Sequence, residues 1–345
     1  MTAAAAPASG IGAPGRAVEL DLFKTLLVWG MITAHCIQLL SFRPRPAAVA
    51  ISDVVNLITF SGFMFAFGWG VGLSRGRPKS WPARLRPVAL LVGATWLSEI
   101  AFIALVDKKP VGPELWNVLT LSRLYGWSEF LASFAALYLI IALARPLLVA
   151  VGSRWFLLVP AVIACLAGTG IVVSRDLPGL ATLVGTTQFA SFPLLAYLPW
   201  FLIGIFHARG ARPQAVDWVL AAAASGLFAL YAAYYGAYPG RFPPTALFVG
   251  GAALPLVIYV VACRWAARHL PLPAPLLGAG RHVLAALLVS NLAIFGLRSL
   301  MGFRLGQWWW TPILATAIIA LVTAWAYLLD RRAAKARMGG SASTA

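Results

Sequence analysis

Lys24 and His35 stand eleven positions apart in an otherwise apolar stretch, and they are the first residues in the sequence whose types suggest chemistry. On a helix, eleven steps of 1.5 Å advance about 16 Å and close to three turns, so both side chains project from one face. A cation and an imidazole that titrates near neutrality therefore share one wall. Asp53, Glu99, Arg123, Ser128, Glu129 and Asn291 lie in or beside other apolar runs. In the topology set out below, the first five fall in the outer half near the level of His35, and Asn291, midway through its span, joins them if its face points inward. Such a layer can bind polar groups and pass protons. Ionisable groups within membrane spans are costly and mark functional sites by default.

Each of these residues also has a plainer reading. Lys24 reaches along its stem to the headgroups, and His35 is a hydrogen-bonded interior histidine. Glu99 pairs with Arg123 as a structural ion pair or takes part in catalysis. Asp53, close to the interface, is solvated. Glu129 caps the fourth apolar helix, where a carboxylate meets the positive end of the dipole. Cys36 adjoins His35, but neighbouring helical residues do not face each other, so the two do not form a nucleophilic pair.

The second apolar run ends in FGWGVGLSRGRPK, with Gly68, Gly70 and Gly72 followed by Arg75, Arg77 and Lys79. Glycines so spaced signal close helix packing. They do not make a dinucleotide fingerprint, because no strand precedes them. The basic lip also suits a phosphate-bearing ligand, although charge-directed topology accounts for it as well.

The elements that position these groups follow from composition. Of 345 residues, 61% are hydrophobic and 11% charged, with a mean hydropathy of +0.84. A soluble domain carries about 25% charged residues, so a soluble globular chain is excluded. The apolar runs do not alternate as barrel strands do; the one from Trp155 to Val173 is continuous. The fold class expected is all-α, a polytopic integral membrane protein with about ten transmembrane helices. At about 20 residues per crossing, the spans fall at 18–41, 51–74, 85–106, 127–146, 155–173, 192–208, 215–236, 244–263, 282–300 and 309–329. The sixth is short and, with Pro193 and Pro199, is expected to be kinked. The segment from Glu114 to Gly126 is amphipathic and either lies along the interface or re-enters the membrane.

Ten crossings put both termini on one side. That side holds 17 of the 27 basic residues and the other holds nine, with Lys24 inside the first span. The excess predicts cytoplasmic termini. It also accounts for the net charge of +17 without a nucleic-acid partner. Trp308, Trp309 and Trp310 then open the last span as an interfacial aromatic belt.

Cys36, Cys165 and Cys263 share no short spacing, so neither a disulfide framework nor a metal site is expected. Residues 1–15 lack a charged and compactly apolar leader and read as a disordered lead-in. Residues 16–332 read as one ten-helix domain and 333–345 as a disordered basic tail. The expected location is a bacterial-type inner or plasma membrane, with the lipid bilayer itself as a partner.

ELDLFKTLLVWGMITAH, from Glu19 to His35, resembles the opening of the membrane-bound acyltransferase-3 family. There a Leu-Asp pair precedes a basic residue, ten spacer residues and a histidine. Lys24 stands where that family usually has Arg, which keeps the charge but loses bidentate phosphate binding. Thr59 to Phe63 is similar to its Phe-Leu-Ser-Gly segment, and Tyr125 to Ile140 to its Trp-Ser span at a different spacing. LLGAGRHVLAALLVSN, from Leu276 to Asn291, resembles a late Gly-Arg-Asn-Ser-Leu…His segment, with Val283 in place of Ser and Ser290 or Asn291 near the His position. The Gly280-Arg281-His282 form is similar to the branch that succinylates periplasmic glucans. The first span also resembles heparan-α-glucosaminide N-acetyltransferases.

The resemblance implies acyl transfer across a membrane. Acyl-CoA, a donor substrate rather than a resident cofactor, docks at the cytoplasmic face with its phosphates near Lys24, Arg75 and Arg77. His35 acts as general base toward a hydroxyl of a glycan, glycolipid or glycosylated metabolite, and Glu129 or Glu99 orients the imidazole. Asp53, Arg123, Ser128 and Asn291 line the acceptor side. The competing class is a transporter or exporter in which His35, Glu99 and Glu129 relay protons. Such a protein is expected to show two related halves, and no internal repeat is visible.

Overall fold

The computed structural model describes residues 18–74, 80–173, 179–210, 213–302 and 304–341, with side chains to 332. Those residues form helices joined by short turns, with no strands among them. In chain order they are α1 (Val18–Leu40), α2 (Pro46–Leu73), α3 (Trp81–Leu105), the short α4 (Leu115–Thr120), α5 (Glu129–Ser153), α6 (Trp155–Ala167), the short α7 (Leu180–Val184) and α8 (Leu194–His207). They continue through α9 (Ala215–Tyr235), α10 (Ala246–Gly251), α11 (Ala253–His269), the one-turn α12 (Gly278–Arg281), α13 (Val283–Met301) and α14 (Trp310–Ser341).

Eight helices are long and apolar enough to cross a membrane, with α10 and α11 counted as one run over Ala246–His269. The chain is a multi-pass membrane protein by that measure. The fifth and sixth expected spans are shorter helices, Trp155–Gly170 and Leu194–His207. A 3-10 turn over Gly168–Gly170 closes the first of these, and Pro193 in extended conformation delays the start of the second. Pro199 lies inside that helix, and another helix departs from helical geometry. In α5, Ala144 leaves helical geometry two residues before Pro146, whose ring obstructs the preceding turn and whose nitrogen carries no proton. The helix α14 continues to Ser341 rather than ending at 332.

The first span is the hub. Seventy-two percent of its apolar window is buried, against 6% for α9, although both windows are apolar enough to cross a membrane. The difference identifies α1 as the core helix and α9 as one whose side chains meet lipid. Around α1 pack α2, α11, α12, α13 and α14. Two close approaches fix this arrangement. A Cβ on Gly68 of α2 would fall on the Phe201 carbonyl of α8, and one on Gly204 would fall on the Phe65 carbonyl. A Cβ on Gly280 would fall on the Asp21 carbonyl of α1, where the Gly280 N–H donates to Thr25 Oγ1 at 2.9 Å. The expected glycine packing is therefore present at Gly68 and also at Gly72, beside Ala208, whereas Gly70 has room.

Candidate functional site

Near the Leu40 end of α1, four segments bring polar side chains together. His35 is buried and its Nδ1 lies 2.9 Å from Asn291 Oδ1 on α13. The amide orientation is set by its other contacts. Asn291 Nδ2 donates to Ser128 Oγ at 3.0 Å and to the Trp127 carbonyl at 3.3 Å. A carbonyl can only accept, so the oxygen faces His35 and Nδ1 carries the proton. The lone pair is thereby placed on Nε2, which makes no hydrogen bond among the described residues.

The residues just before α5 complete this network. Ser128 occupies the N-cap of α5 but makes no capping bond; its hydroxyl bonds Ser98 of α3 and Asn291 instead. Trp127 adopts a left-handed backbone with φ of 69°, a conformation costing about 1–3 kcal/mol in a non-glycine residue. This bend places its carbonyl on Asn291 and its ring edge-on to His35, with centroids 5.0 Å apart. The segment leading there is anchored by Tyr125, whose hydroxyl donates to Glu114. That bond, with one from Asn117, holds the Glu114 carboxyl below its ordinary range.

His35 and Glu129 line a cavity of about 430 Å³. Gln38, Asn56 and Thr59 give it a polar side, and Phe60, Phe130 and Phe192 an aromatic one. The first two are tied at Ser52, to which Gln38 Nε2 donates at 2.6 Å. Arg241, from the turn between α9 and α10, also lines this cavity. Glu99 sits beside the network on α3, fully buried, and neither carboxylate oxygen meets a donor in hydrogen-bonding geometry among the described residues. The Tyr125 backbone and the Glu129 carboxyl are the polar groups that act on it. A buried polar group without a partner is costly and calls for an explanation.

Toward the other end of α1 lies a second cavity of about 790 Å³, lined by Lys24, Arg281 and His282 among apolar side chains. Phe63 and Phe130 line both cavities. At the mouth of the second, Lys24 pairs with Asp21 at 3.0 Å, and Arg281 bridges Asp21 at 3.3 Å and Asp330 at 2.8 Å. The other oxygen of Asp330 meets His282 Nε2 at 2.9 Å.

Of the residues singled out in the sequence, the structure brings His35, Ser128, Glu129 and Asn291 together, with Glu99 adjoining and Lys24 one cavity away. The partner of the imidazole is a correction: Asn291, and neither Glu129 nor Glu99, bonds Nδ1. Arg123 does not pair with Glu99; it is exposed over the Tyr125 ring, 5.4 Å from its centroid. Asp53 is partly exposed on α2 and does not line either cavity. Arg75 and Arg77 lie outside the described residues. Trp127, Arg241 and Asp330 had not been singled out for the site. The first two lie in loops, where no periodicity assigns a face, and Asp330 follows a long apolar run that ends in a basic cluster.

No protein-family model, no curated protein and no solved structure matches this chain.

Proposed function

We propose that the chain is an integral membrane O-acyltransferase, related to the acyltransferase-3 family, that carries an acyl group of the acetyl or succinyl class from cytoplasmic acyl-CoA to a carbohydrate hydroxyl. The reading rests chiefly on one observation. Two cavities lie along α1, one walled by Lys24 and the other by His35, and they are separated by Phe63 and Phe130. Both termini are cytoplasmic in this reading, so the Lys24 cavity opens inward and the His35 cavity outward.

The chemistry follows from the hydrogen bonds. With Nδ1 donating to Asn291, His35 Nε2 takes the proton of an acceptor hydroxyl in the outer cavity. The oxygen attacks the thioester carbonyl carbon, whose pantetheine arm passes between the two phenylalanines. The C–S bond breaks as the tetrahedral intermediate collapses, and the imidazolium returns its proton to the departing thiolate. Glu129 stabilises the transient imidazolium across the cavity, a part it can play without touching the ring. Lys24 supplies a cation at the donor end, paired there with Asp21.

The test is acyl transfer from radiolabelled acetyl-CoA and succinyl-CoA in membranes containing wild type or His35→Ala at matched expression. Label reaching a glycan in the wild type alone supports the reading; equal transfer removes His35 as the base. One observation favours transport as a second reading. The buried Glu99, whose carboxylate oxygens meet no hydrogen-bond donor among the described residues, is a feature of proton relays, and substrate crossing without label transfer would select that reading.

A further inference from the structure

Arg241 is the cation of the His35 cavity, and its surroundings are unlike those of the other basic residue clusters. The turn that carries it is closed by a Thr245 N–H to Gly240 carbonyl bond of 2.9 Å, and Thr245 caps α10 through Phe248 at 3.2 Å. The guanidinium lies 4.7 Å from the Phe242 ring centroid and 5.7 Å from that of Phe192. Those faces hold the planar group in place where Arg241 lines the cavity. Its Nε is buried and bonds no partner. The carboxylates that act on it are Glu129 and Asp53, and neither forms an ion pair with it among the described residues. At the Lys24 end the opposite holds, where Arg281 is bound on two sides by Asp21 and Asp330.

An arginine held by aromatic faces, with an orphaned donor, in a cavity of about 430 Å³ has the form of a carboxylate site. Such a guanidinium pairs two oxygens at once, and water-poor surroundings strengthen the attraction. The volume lies in the range of small-ligand sites, about 300–1,000 Å³, and holds a sugar unit or a short acyl group beside His35. We infer that Arg241 selects a substrate bearing a carboxylate, which it grips while His35 addresses the reacting hydroxyl. The inference rests on the acyltransfer reading and narrows it. The carboxylate belongs either to the far end of a dicarboxylic acyl group or to an acidic acceptor sugar.

Binding separates these sources without depending on turnover. The full chain in lipid nanodiscs is titrated with methyl glucuronide against methyl glucoside, and with succinyl-CoA against butyryl-CoA. Tryptophan fluorescence and calorimetry provide the readout. In the wild type, one member of a pair, the anionic one, is expected to bind roughly tenfold or more tightly than its neutral counterpart. The pair showing that preference names the source. Arg241→Gln is expected to erase the preference while leaving binding of the neutral compound within about twofold, and Arg241→Lys to retain part of it. The inference is overturned if neither anionic probe outbinds its counterpart in the wild type, a result that needs no variant to fold. It is equally overturned if Arg241→Gln keeps the preference. Anion preference without label transfer from any donor would instead sink the acyltransfer reading and leave the carboxylate site standing.

Discussion

Asn291 Oδ1 accepts the Nδ1 proton of His35 at 2.9 Å, joining α13 to α1 across 256 residues of sequence. An amide here does what a carboxylate does in many acid–base pairs, fixing the tautomer and the ring orientation. It does so without adding a charge to the buried layer. Replacing Asn291 with Leu keeps the approximate size and removes the bond. Transfer is expected to fall by roughly 10²–10⁴ with donor KM little changed. Asparagine-to-aspartate exchange at this position is expected to retain more activity than the leucine variant. Initial rates at saturating donor check both.

Phe63 and Phe130 form the partition between the two cavities. Phe63→Trp thickens it. Transfer is expected to drop about tenfold or more, while donor binding measured at equilibrium is unchanged. A parallel fall in donor binding would mean that the partition is part of the Lys24 cavity alone.

The helix crossings give a graded test of packing. A methyl group on Gly68, Gly204 or Gly280 meets a backbone carbonyl that cannot move aside, whereas on Gly70 the nearest atom is 3.9 Å away. Each of the first three alanine variants is expected to lose about 1–3 kcal/mol or more, and Gly70→Ala to remain close to wild type. Thermal melts in one detergent rank the four.

A pH effect is expected in the segment before α5. Hydrogen bonds from Tyr125 and Asn117 hold the Glu114 carboxyl below its ordinary range. A depressed carboxylate contributes order above its unfolded pKa, and that contribution is lost as acid protonates it. Protection factors of the amides of residues 115–126, exchange rates corrected for the intrinsic pH dependence, are therefore expected to fall as pH falls through the range of Glu114. Tyr125→Phe is expected to bring the lower protection to neutral pH. Hydrogen exchange followed by mass spectrometry measures this.

Much of the architecture was legible from apolar runs alone, because a helix in lipid must bury every backbone group internally. The spacing of Lys24 and His35 put both on one wall of one helix, and in the structure each lines a different cavity along it. Depth alone put Ser128 and Glu129 near the level of His35. Depth without rotation is what misled elsewhere. Asp53 and Arg123 lie in or near that layer yet do not line the cavity, since an azimuth is decided by packing against neighbours. Arg241 was invisible for another reason: it lies on a turn, and only tertiary folding brings that turn over His35. The helices α6 and α8 are shorter than the 155–173 and 192–208 runs, because hydropathy counts residues and does not register where Gly168 ends a helix or Pro193 delays the start of one.

The central claim is transfer from a donor on one side of the membrane through His35. Sealed inverted and right-side-out vesicles from cells expressing the chain, given radiolabelled acetyl-CoA or succinyl-CoA, test it most directly. Label is expected in glycan only in inverted vesicles, where the cytoplasmic face meets the donor, and it is expected to vanish with His35→Ala. Equal labelling of both orientations, or undiminished labelling by His35→Ala, would contradict the account.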